Sequence, residues 1–208
     1  MTIDRKWAPW ASAVALAALW LAMLLLGTGS VDQAVLLSLY AGDQPRLALA
    51  AMGFTYLGNW PTVVVATLLG AVWLLYRGKR RSALLLLIAS FTGRGLVILE
   101  KAYFARLRPD EHLRLAEVHY QSFPSGHSAN SMIVYLGIAL LAVEDPEHRQ
   151  RAIAAALLLT FLIGLSRPML GVHWPSDVIA GWSFGAFWLL LVLGLSSRWQ
   201  TKEPVQAH

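Results

Sequence analysis

The chain has no cysteine, so disulfides, thiolate metal sites and cysteine nucleophiles are excluded at the outset. Charge is scarce as well: Asp, Glu, Lys and Arg make up 14% of 208 residues, against roughly 25% in a soluble domain. The missing charge is replaced by apolar residues, at 57%, with a mean hydropathy of +0.54. That balance excludes an ordinary soluble globule. The formal charge of +5 does not point to nucleic acid, because the basic residues sit mainly at the ends of apolar tracts, where membrane topology accounts for them. No internal repeat and no second domain are visible, so residues 1–208 read as one membrane-embedded domain.

Six apolar tracts set the expected architecture, an all-α polytopic membrane protein. Ala8–Gly27 carries no charge, and at 1.5 Å per residue twenty residues span about 30 Å, the thickness of the hydrocarbon core. It is longer than the apolar part of a signal peptide and lacks a clear cleavage site, so an uncleaved helix is expected. The second tract runs from Leu47 to Tyr76; its Gly58-Asn59-Trp60-Pro61 punctuation predicts a span beginning near Trp60, with Pro61 in the first turn. The others are Ser82–Tyr103, Ser128–Val143, Ala152–Leu165 and Val178–Ser197. Short helices through 30–40 and 45–55 are expected to lie in the interface of the first outer loop.

Six spans place both termini on one side, together with Arg5, Lys6, Arg77, Lys79, Arg80, Arg81, Arg149, Arg151, Arg198 and Lys202. The positive-inside rule makes that side the cytoplasm, and the opposite loops, 30–54, 104–127 and 166–177, extracytoplasmic. Trp10, Trp60, Trp174 and Trp199 fall near span ends, as belt residues do.

Charges that topology does not explain cluster in the second and third outer loops. Lys101 and Arg108, seven residues apart, would lie about 20° from each other on one helical face, with Pro109 ending the helix. Pro124-Ser125-Gly126-His127 precedes the fourth tract, where a helix N-terminus offers unpaired N–H groups to an anion. Ser166-Arg167-Pro168 closes the fifth tract, and His173-Trp174-Pro175-Ser176-Asp177 opens the sixth. Arg94 sits seven residues before Lys101 and about 10 Å deeper, too far to grip the same anion, and reads as a structural ion with an unidentified acceptor. Glu100 points about 100° away from Lys101. Arg106, His112, Arg114 and His119 read as solvated loop residues.

Taken together, Lys101 with Arg108-Pro109, the Pro124–His127 run, and Ser166-Arg167 with His173 and Asp177 resemble the three-part signature of the type 2 phosphatidic acid phosphatase (PAP2) superfamily. The motifs occupy 101–109, 124–127 and 166–177 in the family's order and spacing. The resemblance implies phosphate binding by Lys101, Arg108, Arg167, Ser125 and Gly126. It also implies a His173 nucleophile oriented by Asp177, with His127 as general acid. The expected reaction is metal-independent hydrolysis of a lipid phosphate or diphosphate through a phosphohistidine. Phosphatidic acid, phosphatidylglycerol phosphate and undecaprenyl pyrophosphate are candidate substrates, and neither cofactor nor nucleic acid is expected. A phosphotransferase using the same intermediate, and a transporter with the charges lining its path, are the competing readings; a haloperoxidase is disfavoured by the six tracts.

Overall fold

A computed structural model describes residues 8–200, with the side chains of 10–196. Arg5, Lys6 and Lys202 lie outside the described residues, as do the side chains of Arg198 and Trp199. The structure is 80% helical, with no strand among the described residues.

Helix α1 (Ala8–Leu26) ends before Gly27, and the chain turns 97° into α2 (Ser30–Leu39). Asp32 secures that corner by accepting from the Thr28 N–H at 2.8 Å. Helices α3 (Pro45–Gly58) and α4 (Trp60–Tyr76) meet at Asn59 with a 49° bend, and Pro61 stands in the first turn of α4 as expected. Two further long helices are α5 (Arg80–Phe104) and α7 (Pro146–Met169); between them runs the shorter α6 (Gly126–Ala142), with a π-helical turn over Met132–Leu136. Asp145 caps α7 by accepting from His148 N at 2.9 Å. Helix α8 spans Pro175–Gln200.

Three of these helices are long and apolar enough to cross a bilayer singly, and five spans result when each bent pair counts as one. Gly126–Ala142, the fourth expected tract, is a shorter apolar helix, so the count of six remains an inference from the sequence. Side chains such as Val14, Leu25, Leu69, Leu99 and Leu158 are exposed, as the wall of a bundle facing hydrocarbon requires.

Helix α8 organises the bundle, packing along α1 on one side and α6 on another, while α3 lies along α7 and α4 along α5. Gly181 and Gly185, one turn apart on α8, let α6 approach closely: a Cβ at these positions would stand 2.5 Å from Ser125 O and 2.6 Å from Ala129 O. The consequence is that the start of α6 is pressed against the start of α8, and the Ser125 N–H donates to Asp177 O at 2.9 Å.

Two expectations are corrected here. Helix α5 stops at Phe104, where Ala105 adopts a left-handed conformation (φ 48°) and returns its N–H to Lys101 O. Arg108 therefore lies beyond the helix, not on a shared face with Lys101. Ser166 and Arg167 stand in the last turns of α7, which continues through Pro168 to Met169, so the third outer loop shrinks to the turn before Pro175. Pro168 is the penultimate residue of α7, so the helix loses little beyond the proline's own N–H bond and ends there without a break.

Candidate active site

The turn between α7 and α8 presents His173. Gly171 makes it possible with φ +68°, and a Cβ there would meet Leu113 O at 2.1 Å. His173 Nε2 is 3.1 Å from Arg108 Nη1, and Nδ1 is 3.2 Å from Asp177 Oδ2. A guanidinium donates only, so Nε2 is the acceptor and the ring proton sits on Nδ1, given to Asp177. Geometry thus selects the tautomer in which Nε2 keeps a lone pair. Burial, and then the charges of Arg108, Lys101, Arg167 and His127, hold His173 well below the ordinary imidazole value of 6.5.

Asp177 is fully buried and accepts from Ser122 Oγ at 2.5 Å and Trp174 N at 3.1 Å, besides His173. Its counter-charge is Arg106, whose Nη1 lies 3.0 Å from Oδ1. Arg106 is not the solvated loop residue expected from the sequence: its side chain is 10% exposed, donates to Met23 O, Leu24 O and Ser176 Oγ, and lies over the Phe123 ring. A buried carboxylate deprived of such a partner costs on the order of 3–5 kcal/mol. Arg106→Gln is therefore expected to lower both the melting temperature in detergent and the turnover; unchanged values for both would remove Arg106 from the site.

Three cations converge beside His173. Lys101 Nζ donates to Gln121 O (2.7 Å) and Ser122 O (3.1 Å). Arg108 donates to Tyr120 O and Val172 O, each at 2.6 Å, and burial pulls it down to about 10, leaving it cationic at neutral pH. Arg167 is 3% exposed; one Nη1 bond goes to Thr55 Oγ1, and its Nε has no partner. A buried guanidinium N–H without an acceptor is costly, and a phosphate oxygen is the kind of group that satisfies it.

Lys101, Arg108, Arg167, His173, His127 and Gly126 line one cavity of about 290 Å³. His127 Nε2 lies 2.7 Å from Asn59 Oδ1, a contact that turns the ring toward this space. Ser125 is the exception among the expected residues. It is fully buried, its N–H is committed to Asp177 O, and its hydroxyl caps α6 by accepting from Ser128. It thus fastens α6 to α8 behind the cavity wall. Glu100 faces a different cavity, with Trp20 and Phe184. His119 lines the outer rim with Glu117 and Tyr120, while His112 and Arg114 stay outside the cavity.

Arg106, Ser122, Asn59 and Thr55 were not legible as site residues. Only Asn59 gave a signal, as the one strongly polar side chain in a charge-free stretch. The cavity's lining includes Trp60 and Ile98, which are 38% and 45% exposed.

This geometry agrees with the comparisons to known proteins. The PAP2 superfamily profile matches residues 82–200, more than half of the chain. Phosphatidylglycerophosphatase B of Bacillus subtilis is 34% identical over 177 residues, covering 81% of this chain and 85% of that protein. An undecaprenyl-diphosphatase of Sulfolobus acidocaldarius is 29% identical over 141 residues, 65% of this chain and 66% of its own. The crystal structure of a transmembrane PAP2-type phosphatidylglycerolphosphate phosphatase from Bacillus subtilis superposes with a TM-score of 0.79 at 31% identity, covering 90% of this chain and 96% of that one. With the three motif segments brought to one buried cationic pocket, the chain belongs to the PAP2 superfamily, in its membrane-integral lipid phosphatase branch.

Proposed function

We propose that the protein hydrolyses a lipid phosphate or diphosphate monoester, without a metal, through a phosphohistidine on His173. The observation that carries this is the setting of His173, with Nδ1 3.2 Å from Asp177 Oδ2 and Nε2 3.1 Å from Arg108 Nη1 in the cavity shared with Lys101 and Arg167, from which the Nδ1–H tautomer with a free Nε2 lone pair follows.

Arg108 turns from Nε2 to the phosphoryl oxygens as substrate enters, and with Lys101 and Arg167 stabilises the charge on the transferring group. Nε2 attacks phosphorus in line while the bond to the leaving oxygen breaks, and His127 gives that oxygen the proton carried on Nε2. Asp177 balances the imidazolium-like charge on His173. Neutral His127 then takes a proton from water as the water oxygen attacks phosphorus, the P–Nε2 bond breaks, and phosphate departs.

Lipid is the substrate class that fits a cationic cavity walled in part by the half-exposed Trp60 and Ile98, since a tail can remain among the lipids while the phosphate reaches the cations. Phosphatidylglycerol phosphate and undecaprenyl diphosphate are taken first among the candidates, with phosphatidic acid behind them, a choice supported by the names of the relatives. The sidedness is part of the same proposal. Lys79 pairs with Glu144 at 2.6 Å and Arg81 donates to Ser196 O, gathering the basic α4–α5 turn, the α6–α7 turn and the end of α8 at the pole opposite His173. The positive charge gathered at that pole supports reading it as cytoplasmic and the site as facing outward.

Phosphate release from a panel of these lipids in detergent with EDTA tests the reading. Turnover that persists in EDTA is expected; strict dependence on Mg²⁺ contradicts it, and transfer of the phosphoryl to an added alcohol without free phosphate identifies a phosphotransferase. A bell-shaped pH profile of kcat/KM is expected too. His173 must be neutral and His127 protonated, and because burial and the neighbouring cations hold both imidazoles well below the ordinary value of 6.5, both limbs should shift to the acid side, the acid limb falling below that value. In His127→Ala the basic limb should disappear; an acid limb above 7 would contradict the assignment.

A further inference from the structure

Arg94 is the cation that the chemistry above leaves unused. It was read from the sequence as an ion paired to some buried acceptor, but among the described residues it forms no ion pair. Its guanidinium carbon instead lies 3.5 Å from the centroid of the Trp60 ring. Phe91 holds that ring edge-on, with centroids 6.2 Å apart at 80°. Besides that ring, Tyr120 of the same cavity interacts with Arg94 electrostatically, and with neither a hydrogen bond nor an ion pair among the described residues the guanidinium retains unused N–H donors.

Those donors belong to the same cavity as the reacting groups, since Arg94 and Trp60 line it together with Lys101, Arg167, His127 and His173. Position within the cavity gives the role. Arg94 lies seven residues, about 10 Å of helix rise, toward the bilayer centre from Lys101. It is linked to the proposed acid through a short series of neighbours: His127 contacts Asn59, Asn59 adjoins Trp60, and Trp60 carries Arg94. The acid must stand beside the leaving oxygen, so Arg94 flanks the leaving group and not the phosphoryl being transferred.

We propose that Arg94, held by Trp60, binds a second anionic phosphate carried by the leaving group. This deepens the functional reading above and rests on it. The anion is the inner phosphate of a lipid diphosphate or the phosphodiester of a phosphatidylglycerol phosphate; phosphatidic acid, whose leaving group is uncharged, has nothing to place there.

The test compares kcat/KM of wild type and Arg94→Gln on farnesyl diphosphate, phosphatidylglycerol phosphate and phosphatidic acid. A loss of about 10- to 100-fold on a substrate with two phosphates, the scale of one charge-assisted hydrogen bond, is expected alongside a change within about threefold on phosphatidic acid. Loss confined to the diphosphate places the second anion directly at the leaving oxygen, and loss confined to the phosphatidylglycerol phosphate places it beyond the glycerol; either supports the subsite. Equal losses on all three, or none on any, overturn it. Wild-type protein that turns over none of the three overturns the functional reading and this one together. A check needing no variant is inhibition of the wild type by a farnesyl methylenebisphosphonate and by the monophosphonate with the same tail: at least about tenfold stronger inhibition by the former is expected, and equal inhibition overturns the proposal.

Discussion

Replacing His173 with alanine is expected to lower turnover by at least about 10⁴-fold, the scale seen when a covalent nucleophile is removed from a group that acts as a unit. The protein should remain folded. His173 lies in the turn before α8, and that turn is shaped by Gly171 and by the bond from Ser125 N to Asp177 O, both of which survive the substitution. Lys101, Arg108 and Arg167 also survive, so binding of a phosphate analogue should persist while turnover does not. This separates the hydrolase from a transporter, in which lipid or ion flux through the bundle would not depend on an imidazole. Full turnover by a folded His173→Ala protein would remove the nucleophile from the account.

The second large effect is expected from Asp177→Asn. Asp177 takes protons from four directions: Ser122, Trp174, Arg106 and the His173 Nδ1–H. An amide in its place can present NH₂ to Nδ1, which reverses the tautomer and moves the ring proton to Nε2, where it occupies the attacking lone pair. It also leaves the Arg106 guanidinium buried without a counter-charge. Together these should reduce kcat by about 10³- to 10⁴-fold, as loss of the orienting carboxylate does in other histidine-dependent sites. The loss should fall on kcat more than on KM, since the three phosphate-binding cations are untouched. A variant that loses affinity and keeps kcat would make Asp177 a structural cap of α8 and nothing more.

The chemistry-bearing residues were legible in the sequence because each sits at the end of an apolar tract, where a charge or histidine is conspicuous and its chain neighbours fix its setting. Their partners were not. Arg106 meets Asp177 across 71 residues, Asn59 meets His127 across 68, and Thr55 meets Arg167 across 112. Such contacts depend on how the helices pack, which periodicity does not encode.

Lys101 and Arg108 illustrate a right neighbourhood reached for the wrong reason. They do line one cavity, but the left-handed turn at Ala105 ends the helix, and Arg108 returns to the pocket by binding the carbonyls of Tyr120 and Val172. Pro109, which the sequence reading made the terminator, stands five residues too late. Ser125 shows the converse: the helix N-terminus was foreseen, but Gly181 and Gly185 draw α8 so close that the N–H goes to protein and not to an anion. The broad architecture followed from length and hydropathy. The breaks at Asn59 and before Ser30 were legible too, from the Gly58–Pro61 punctuation and the short helix expected through 30–40; their angles, 49° and 97°, were not, because they depend on packing between helices.

The central claim is a covalent bond between His173 Nε2 and phosphorus. It is tested most directly by quenching the enzyme in alkali during turnover of a lipid substrate labelled with ³²P in its terminal phosphate, then mapping the labelled peptide. The account predicts label on the peptide carrying His173, stable to alkali and lost in mild acid, and absent from the His173→Ala protein. Label on another side chain, or turnover with no protein-bound label while wild type and His173→Ala release phosphate at comparable rates, would contradict it.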